Sequence, residues 1–174
     1  MRPEIFNWRQ RAPRREGTVL IALGGADVRG LTPGVLESLR GRGLDPVAAT
    51  GLVAGPSSGI GDPDRFAEAL ASCSLAVIGA GTTVWECLCL GTPAIAVITA
   101  DNQRAIAEAG VRAELLHARF DVRADATCLD ALADSVLCLA TDADRRLDLG
   151  DAGQREVDGQ GATRVAEVVA GLLT

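Results

Sequence analysis

The stretch Leu75-Ala-Val-Ile-Gly-Ala-Gly-Thr-Thr-Val-Trp-Glu-Cys-Leu-Cys-Leu-Gly-Thr-Pro-Ala-Ile-Ala-Val-Ile98 decides the fold. Leu75–Ile78 and Ala94–Ile98 are short, continuous apolar runs, the pattern of strands buried on both faces. Between them a glycine-rich turn opens a helix from about Val84 to Leu90, and Gly91-Thr92-Pro93 ends it. Strand, helix and strand in that order make a parallel crossover unit.

The same alternation extends in both directions. Upstream, Thr18–Leu23 is an apolar run that stops at Gly24-Gly25. Leu31, Val35, Leu36 and Leu39 then recur at helical spacing, with Thr32 as the expected N-cap and Pro33 at the first helical position. Pro46–Leu52 reads as a further strand, followed by a loop rich in Gly, Pro and Ser through Gly61. Asp62-Pro63 starts a helix carrying Phe66 and Leu70. Downstream, Gln103–Ala109 reads as helix and Glu114–Leu116 as a short fifth strand. Ala126–Leu139, Asp144–Leu149 and Gly161–Leu173 read as helices. The expectation is an α/β domain over residues 18–174. Its parallel sheet has about five or six strands, covered by helices on both faces. Residues 1–17 lack either periodicity and are read as a linker or docking arm, in which Phe6 and Trp8 stand beside Arg9, Arg11, Arg14 and Arg15.

Composition narrows the function. At 174 residues the chain is the size of one domain. A net charge of -6 and a pI near 4.8 argue against a nucleic-acid partner. No run approaches the roughly 20 apolar residues of a membrane span. No signal-like segment opens the chain, so a cytoplasmic location is the expectation. The five cysteines show no CxxC pair and read as reduced, buried small hydrophobes, with no metal and no cofactor implied.

Parallel sheets of this kind bind ligands beyond the carboxyl ends of their strands. Three loops lie there. Leu23-Gly24-Gly25-Ala26-Asp27 either presents backbone amides to an anion or is a plain strand-to-helix turn. Gly79-Ala80-Gly81-Thr82-Thr83, followed by a helix, is suited to phosphate. It lacks the third glycine of a dinucleotide fingerprint, and the chain has no lysine for a P-loop. Glu86 fits a capping box with Thr83, or alternatively clamps a ribose diol. In the third loop Asp101 is expected to cap the next helix, while Asn102 and Gln103 offer neutral donors and acceptors suited either to capping or to sugar hydroxyls. His117 has no evident partner, and no catalytic residue is assigned.

Taken together, these loops resemble the C-terminal half of GT-B-type nucleotide-sugar enzymes. The chain is most similar to the UDP-2,4-diacetamido-2,4,6-trideoxy-sugar hydrolases of the pseudaminic acid pathway. The resemblance runs through Arg2-Pro3-Glu4-Ile5-Phe6, Leu23–Asp27, Gly79–Glu86, Leu90-Gly91-Thr92-Pro93, Ala100–Ala107 and Val157–Ala162, in the family's order. It implies a single Rossmann-like domain that binds UDP or a UDP-sugar. Gly24 and Gly25 would face the diphosphate and sugar, Gly81, Thr82 and Thr83 would bind the diphosphate, Glu86 the ribose, and Asn102 with Gln103 the sugar. The N-terminal half that carries the family's catalytic histidine has no counterpart in this sequence. The resemblance therefore implies little turnover without a separate half or a homodimer partner. The alternative is a ligand-free assembly domain that self-associates through the former cleft face, with Phe6 and Trp8 as anchors.

Overall fold

The computed structural model describes residues 2–9, 16–24, 27, 30–49, 62–123 and 128–172. Five parallel strands, β1 (Glu16–Ala22), β2 (Pro46–Ala48), β3 (Cys73–Gly79), β4 (Ala94–Ile98) and β5 (Ala118–Asp121), form one sheet in the order β2-β1-β3-β4-β5. Every residue of β3 and β4 is buried, as the apolar runs Leu75–Ile78 and Ala94–Ile98 require, and the one polar side chain, Ser74, donates to Thr18 O. Leu20 pairs with Ala76 and Ile78 with Ala96, which brings the carboxyl ends of β1, β3 and β4 level.

Alternation along the strands divides the core in two. Leu20, Ala76, Ile78, Ala96 and Ile98 face one layer, built by α1 (Pro3–Arg9), α3 (Pro63–Ser72), α4 (Thr83–Leu90) and α5 (Arg104–Arg112). Val19, Ile21, Leu75, Val77, Ile95 and Val97 face the other, built by α2 (Leu31–Arg40) and α6 (Cys128–Thr141), with Leu149 of α7 (Ala143–Glu156). The expected α/β, Rossmann-like architecture with helices on both faces is present.

Several local expectations are corrected. Residues 3–9 are a helix rather than a solvated arm: Ile5 is fully buried and Trp8 packs on the core. Arg9 then donates to the carbonyls of Cys89, Gln154 and Val157, tying the helix end to α4 and α7. Of the two aromatics invoked as docking anchors, Trp8 packs partly buried on this core, and Phe6 is half-buried. Asp27 and not Thr32 caps α2, its two carboxylate oxygens accepting from the N–H groups of Leu31 (3.0 Å) and Thr32 (2.9 Å). The expected strand at 114–116 is instead the turn that ends α5. Glu114 takes a left-handed φ of 56°, and Leu115 and Leu116 both donate to Gly110 O. β5 starts two residues later. Helix α7 runs through Gly150 and Gly153, which let it approach Gly91 and Leu88 closely. Cys138 is exposed and Cys128 half-buried, whereas Cys73, Cys87 and Cys89 are buried as expected; none of the five is in a disulfide. The expected strand residues from Thr50 to Leu52, and the loop through Gly61, lie outside the described residues.

The last helix, α8 (Gly161–Leu172), buries nothing. Val165, Val168, Val169 and Leu172 repeat at helical spacing and are half to four-fifths exposed.

Candidate functional site

Strand order reverses between β1 and β3, since β1 connects outward to β2 while β3 leads on to β4 and β5. The crevice at such a switch point is where doubly wound sheets receive ligands. The first two loops of interest leave from its two sides.

After β1 the backbone turns at Gly24, whose φ of +115° excludes most side chains, and a Cβ there would meet nothing within 4 Å. Gly25 lies outside the described residues. After β3, Gly79 serves a different purpose: a Cβ on it would stand 3.1 Å from Leu23 O, so the first loop would have to give by a few tenths of an ångström. Gly81 has nothing within 4 Å of its missing side chain. Its own N–H donates to Gly79 O at 2.8 Å and is therefore spent within the turn. Val84 and Trp85 donate back to Gly81 and Thr82. The N–H groups of Thr82 and Thr83 have no acceptor among the described residues, so they are the unspent donors at the tip of α4, where the helix dipole is positive.

Glu86, one turn into α4, is buried and makes no capping box. Its carboxylate instead receives Nε and Nη2 of Arg2, each at 2.7 Å. The pair holds the Arg2 guanidinium pKa above its usual value, chiefly through these hydrogen bonds. Phe66 lies against the same guanidinium, 4.8 Å from centroid to Cζ.

The third loop is braced from below. Gln103 turns its side-chain oxygen back onto Thr99, accepting from the backbone N–H (2.8 Å) and from Oγ1 (3.1 Å). Asn102 is exposed and has no side-chain partner among the described residues. Asp101 caps nothing; it pairs with Arg123, which also grips Asp121 through a two-pronged contact of 2.9 Å on each side. Arg104 adds a second cation to Asp121 at 2.6 Å. Arg123 thereby holds the Asp121 carboxyl well below the usual carboxylate range. Sequence reading missed this cluster, which ties the third loop to the end of β5.

Gly24 follows β1, Gly81, Thr82 and Thr83 follow β3, and Asn102 and Gln103 follow β4, so the three loops all leave the carboxyl ends of neighbouring strands. His117 is far from these loops, at the amino-end side of the sheet, where its N–H donates to Ala94 O. Its Nδ1 is buried without a partner among the described residues, and burial, with help from Arg145, pushes its pKa down. Among the described residues no group of His, Cys, Asp and Glu is arranged to hold a metal ion. No helix among them is long and apolar enough to cross a membrane. A cavity of about 470 Å³ opens at the opposite end of the sheet, between α4 and α7, lined in part by Arg9, Ser74, Arg146 and Gln154.

Comparison with solved structures shows a likeness of fold to parts of several glycosyltransferases. The chain is similar to the glycotransferase of kitacinnamycin, at 21% identity and a TM-score of 0.67, over 94% of this chain and 44% of that one. It is similar also to CalG4, the calicheamicin glycosyltransferase, at 21% identity and a TM-score of 0.67, over 93% and 43%. The spinosyn rhamnosyltransferase SpnG, in complex with spinosyn aglycone, aligns at 18% identity and a TM-score of 0.60, over 90% and 46%. The chain therefore spans less than half the length of each of these enzymes. No protein-family model and no curated protein matches the sequence.

Proposed function

We propose that this chain is the nucleotide-sugar-binding domain of a GT-B-type hydrolase or glycosyltransferase, with a UDP-sugar as its ligand. The observation that carries this reading is the arrangement at the switch point. The amides of Thr82 and Thr83 have no acceptor among the described residues, the side-chain position of Gly81 beside them is open, and the Glu86 carboxylate lies one turn further along the same helix. Amides at a helix tip suit a diphosphate, and a carboxylate one turn away suits the diol of the attached ribose. Gly24 and Gly25 would border the diphosphate and sugar; Asn102 and the amide nitrogen of Gln103 would reach the sugar hydroxyls. Within this class, the ordered motifs from Arg2-Pro3-Glu4 to Val157-Asp158-Gly159 favour a relation to the trideoxy-sugar hydrolases of the pseudaminic acid pathway.

The domain acts on its ligand only with a complementary half. No titratable side chain suited to a general base stands free at the mouth among the described residues, since Glu86 and Asp101 are each paired to arginine. Calorimetry with UDP and with TDP tests the reading: binding in the micromolar to millimolar range, weakened at least tenfold by Glu86→Ala, is the expected result. Silence with both nucleotides at millimolar concentration contradicts it.

A second reading, association without a ligand, is favoured by one feature that lies away from the cleft. The Val165-Val168-Val169-Leu172 stripe of α8 is exposed, and an isolated helix of 12 residues is marginal in water. Light scattering distinguishes the two: a mass that rises with concentration, and falls on Val168→Asp, supports assembly.

A further inference from the structure

Arg2 is the charged residue at the mouth to which no task has been given. It reaches from the second position of the chain to the first turn of α4, and its fork meets both oxygens of Glu86, each at 2.7 Å. Such a two-pronged contact fixes the orientation of a carboxylate as well as compensating its charge, which a lysine cannot do. The Phe66 ring holds the guanidinium from a further side. The Glu86 side chain is only 8% exposed and that of Arg2 32%, so the carboxylate is confined while the pair still touches solvent.

We propose that Arg2 is a positioning residue that sets selectivity for ribonucleotides over 2′-deoxyribonucleotides; this rests on the reading of Glu86 as the ribose contact. A carboxylate offers about four lone-pair sites. The arginine fork occupies one on each oxygen, leaving one on each for an incoming donor. A vicinal diol supplies two donors at matching separation, one for each oxygen. A 2′-deoxyribose supplies one, and leaves the second site short of a partner in a place that water reaches poorly. A hydrogen bond to a charged group of this kind is worth roughly tenfold in affinity or more. Without Arg2 the glutamate is free to rotate, so the two hydroxyls no longer meet a fixed acceptor pair.

The test is a titration of UDP and 2′-deoxy-UDP against the full chain and its Arg2→Ala, Arg2→Lys and Phe66→Leu variants, followed by calorimetry. The unaltered chain is expected to prefer UDP by about tenfold or more. Arg2→Ala reduces that preference to threefold or less while moving 2′-deoxy-UDP affinity by no more than about twofold. Arg2→Lys, which keeps charge but not the fork, falls between, and Phe66→Leu lowers the preference partially. Thermal melts confirm that each variant is folded, and the lysine and leucine variants carry the test if the alanine variant is not. A ribo-to-deoxy preference unchanged in Arg2→Lys and Arg2→Ala overturns the proposal while leaving the UDP site intact. Tighter UDP binding without Arg2 overturns it too, by showing that the arginine obstructs the diol. Failure of the unaltered chain to bind UDP removes the ribose reading itself, and the proposal with it.

Discussion

Substituting Gly150 by alanine isolates the contact that holds α4 in place. Gly150 lies inside α7, where alanine ordinarily gains about 0.8–1 kcal/mol over glycine. Here a Cβ would stand 2.6 Å from the carbonyl oxygen of Gly91, well inside the 3.4 Å at which ordinary contact begins. The obstacle is backbone, so no side-chain rotation relieves it, and Gly91 itself is pinned at a φ of +69° with Gln154 and Gly150 packed against it. Overpacking of this sort costs about 1–3 kcal/mol, and the absence of an escape places it at the upper end. Subtracting the helix gain leaves a net loss of about 2 kcal/mol, or about 4–8 °C in Tm for a domain of this size. Gly34→Ala is the matched control: also inside a helix, its new Cβ meets Leu129 Cδ1 at a comfortable 3.5 Å, and a gain of about 0.5–1 kcal/mol is expected. Urea unfolding followed by circular dichroism reads both. Because Gly91 ends the helix whose first turn carries Thr83 and Glu86, Gly150→Ala is also expected to weaken nucleotide binding. A Gly150→Ala variant as stable as its parent, or a destabilised Gly34→Ala, refutes the steric argument.

Two further outcomes are expected. His117 is pushed below its ordinary value near 6.5 by burial first and Arg145 second, with Asp142 opposing. The unfolded chain therefore binds the proton more readily, so the stability from His117 is complete above pH 6.5 and is lost as pH falls below it; unfolding midpoints of His117→Leu should lose that slope, and an unchanged slope contradicts it. Asp27 caps α2 through both Leu31 and Thr32 while holding a φ of 36°, so Asp27→Ala should cost about 1–2 kcal/mol in a urea titration. Asp27→Asn, which tolerates that backbone and keeps one of the two acceptors, should cost less; an Asp27→Ala variant as stable as its parent would show that the cap contributes nothing.

The sheet was legible because its signal is local. Leu75–Ile78 and Ala94–Ile98 are uninterrupted apolar runs, the pattern of strands buried on both faces. What escaped depends on distant partners. Helix α1 is seven residues long with one fully buried side chain, Ile5, so it carries no periodicity; its ends are set by Arg2 reaching Glu86 and Arg9 reaching Cys89, Gln154 and Val157. Glu86 matched a capping box by spacing, yet its partner lies 84 positions away. The helix read over Asp144–Leu149 runs on to Glu156, through Gly150, which allows close approach to Gly91. Leu115 and Leu116 looked like a strand because they are apolar, but they cover Gly110 at the end of α5.

The loops of the candidate site were legible as positions and less so as chemistry. The strand-glycine-helix pattern placed Gly24, Gly81, Thr82 and Thr83 in loops at the carboxyl ends of β1 and β3, where the structure has them. Which amides remain unspent was not legible, because Gly81 bonds within its own turn and Thr82 and Thr83 do not. Likewise Gln103 commits its oxygen to Thr99, and Asp101 joins an arginine cluster that no spacing rule announces.

Determining the structure of crystals soaked in UDP puts the nucleotide site to its most direct trial. The diphosphate is predicted to lie against the amides of Thr82 and Thr83, with the ribose hydroxyls on Glu86. A nucleotide seated instead in the cavity beside Arg9 and Arg146, or a mouth still empty at saturating UDP, would contradict the account.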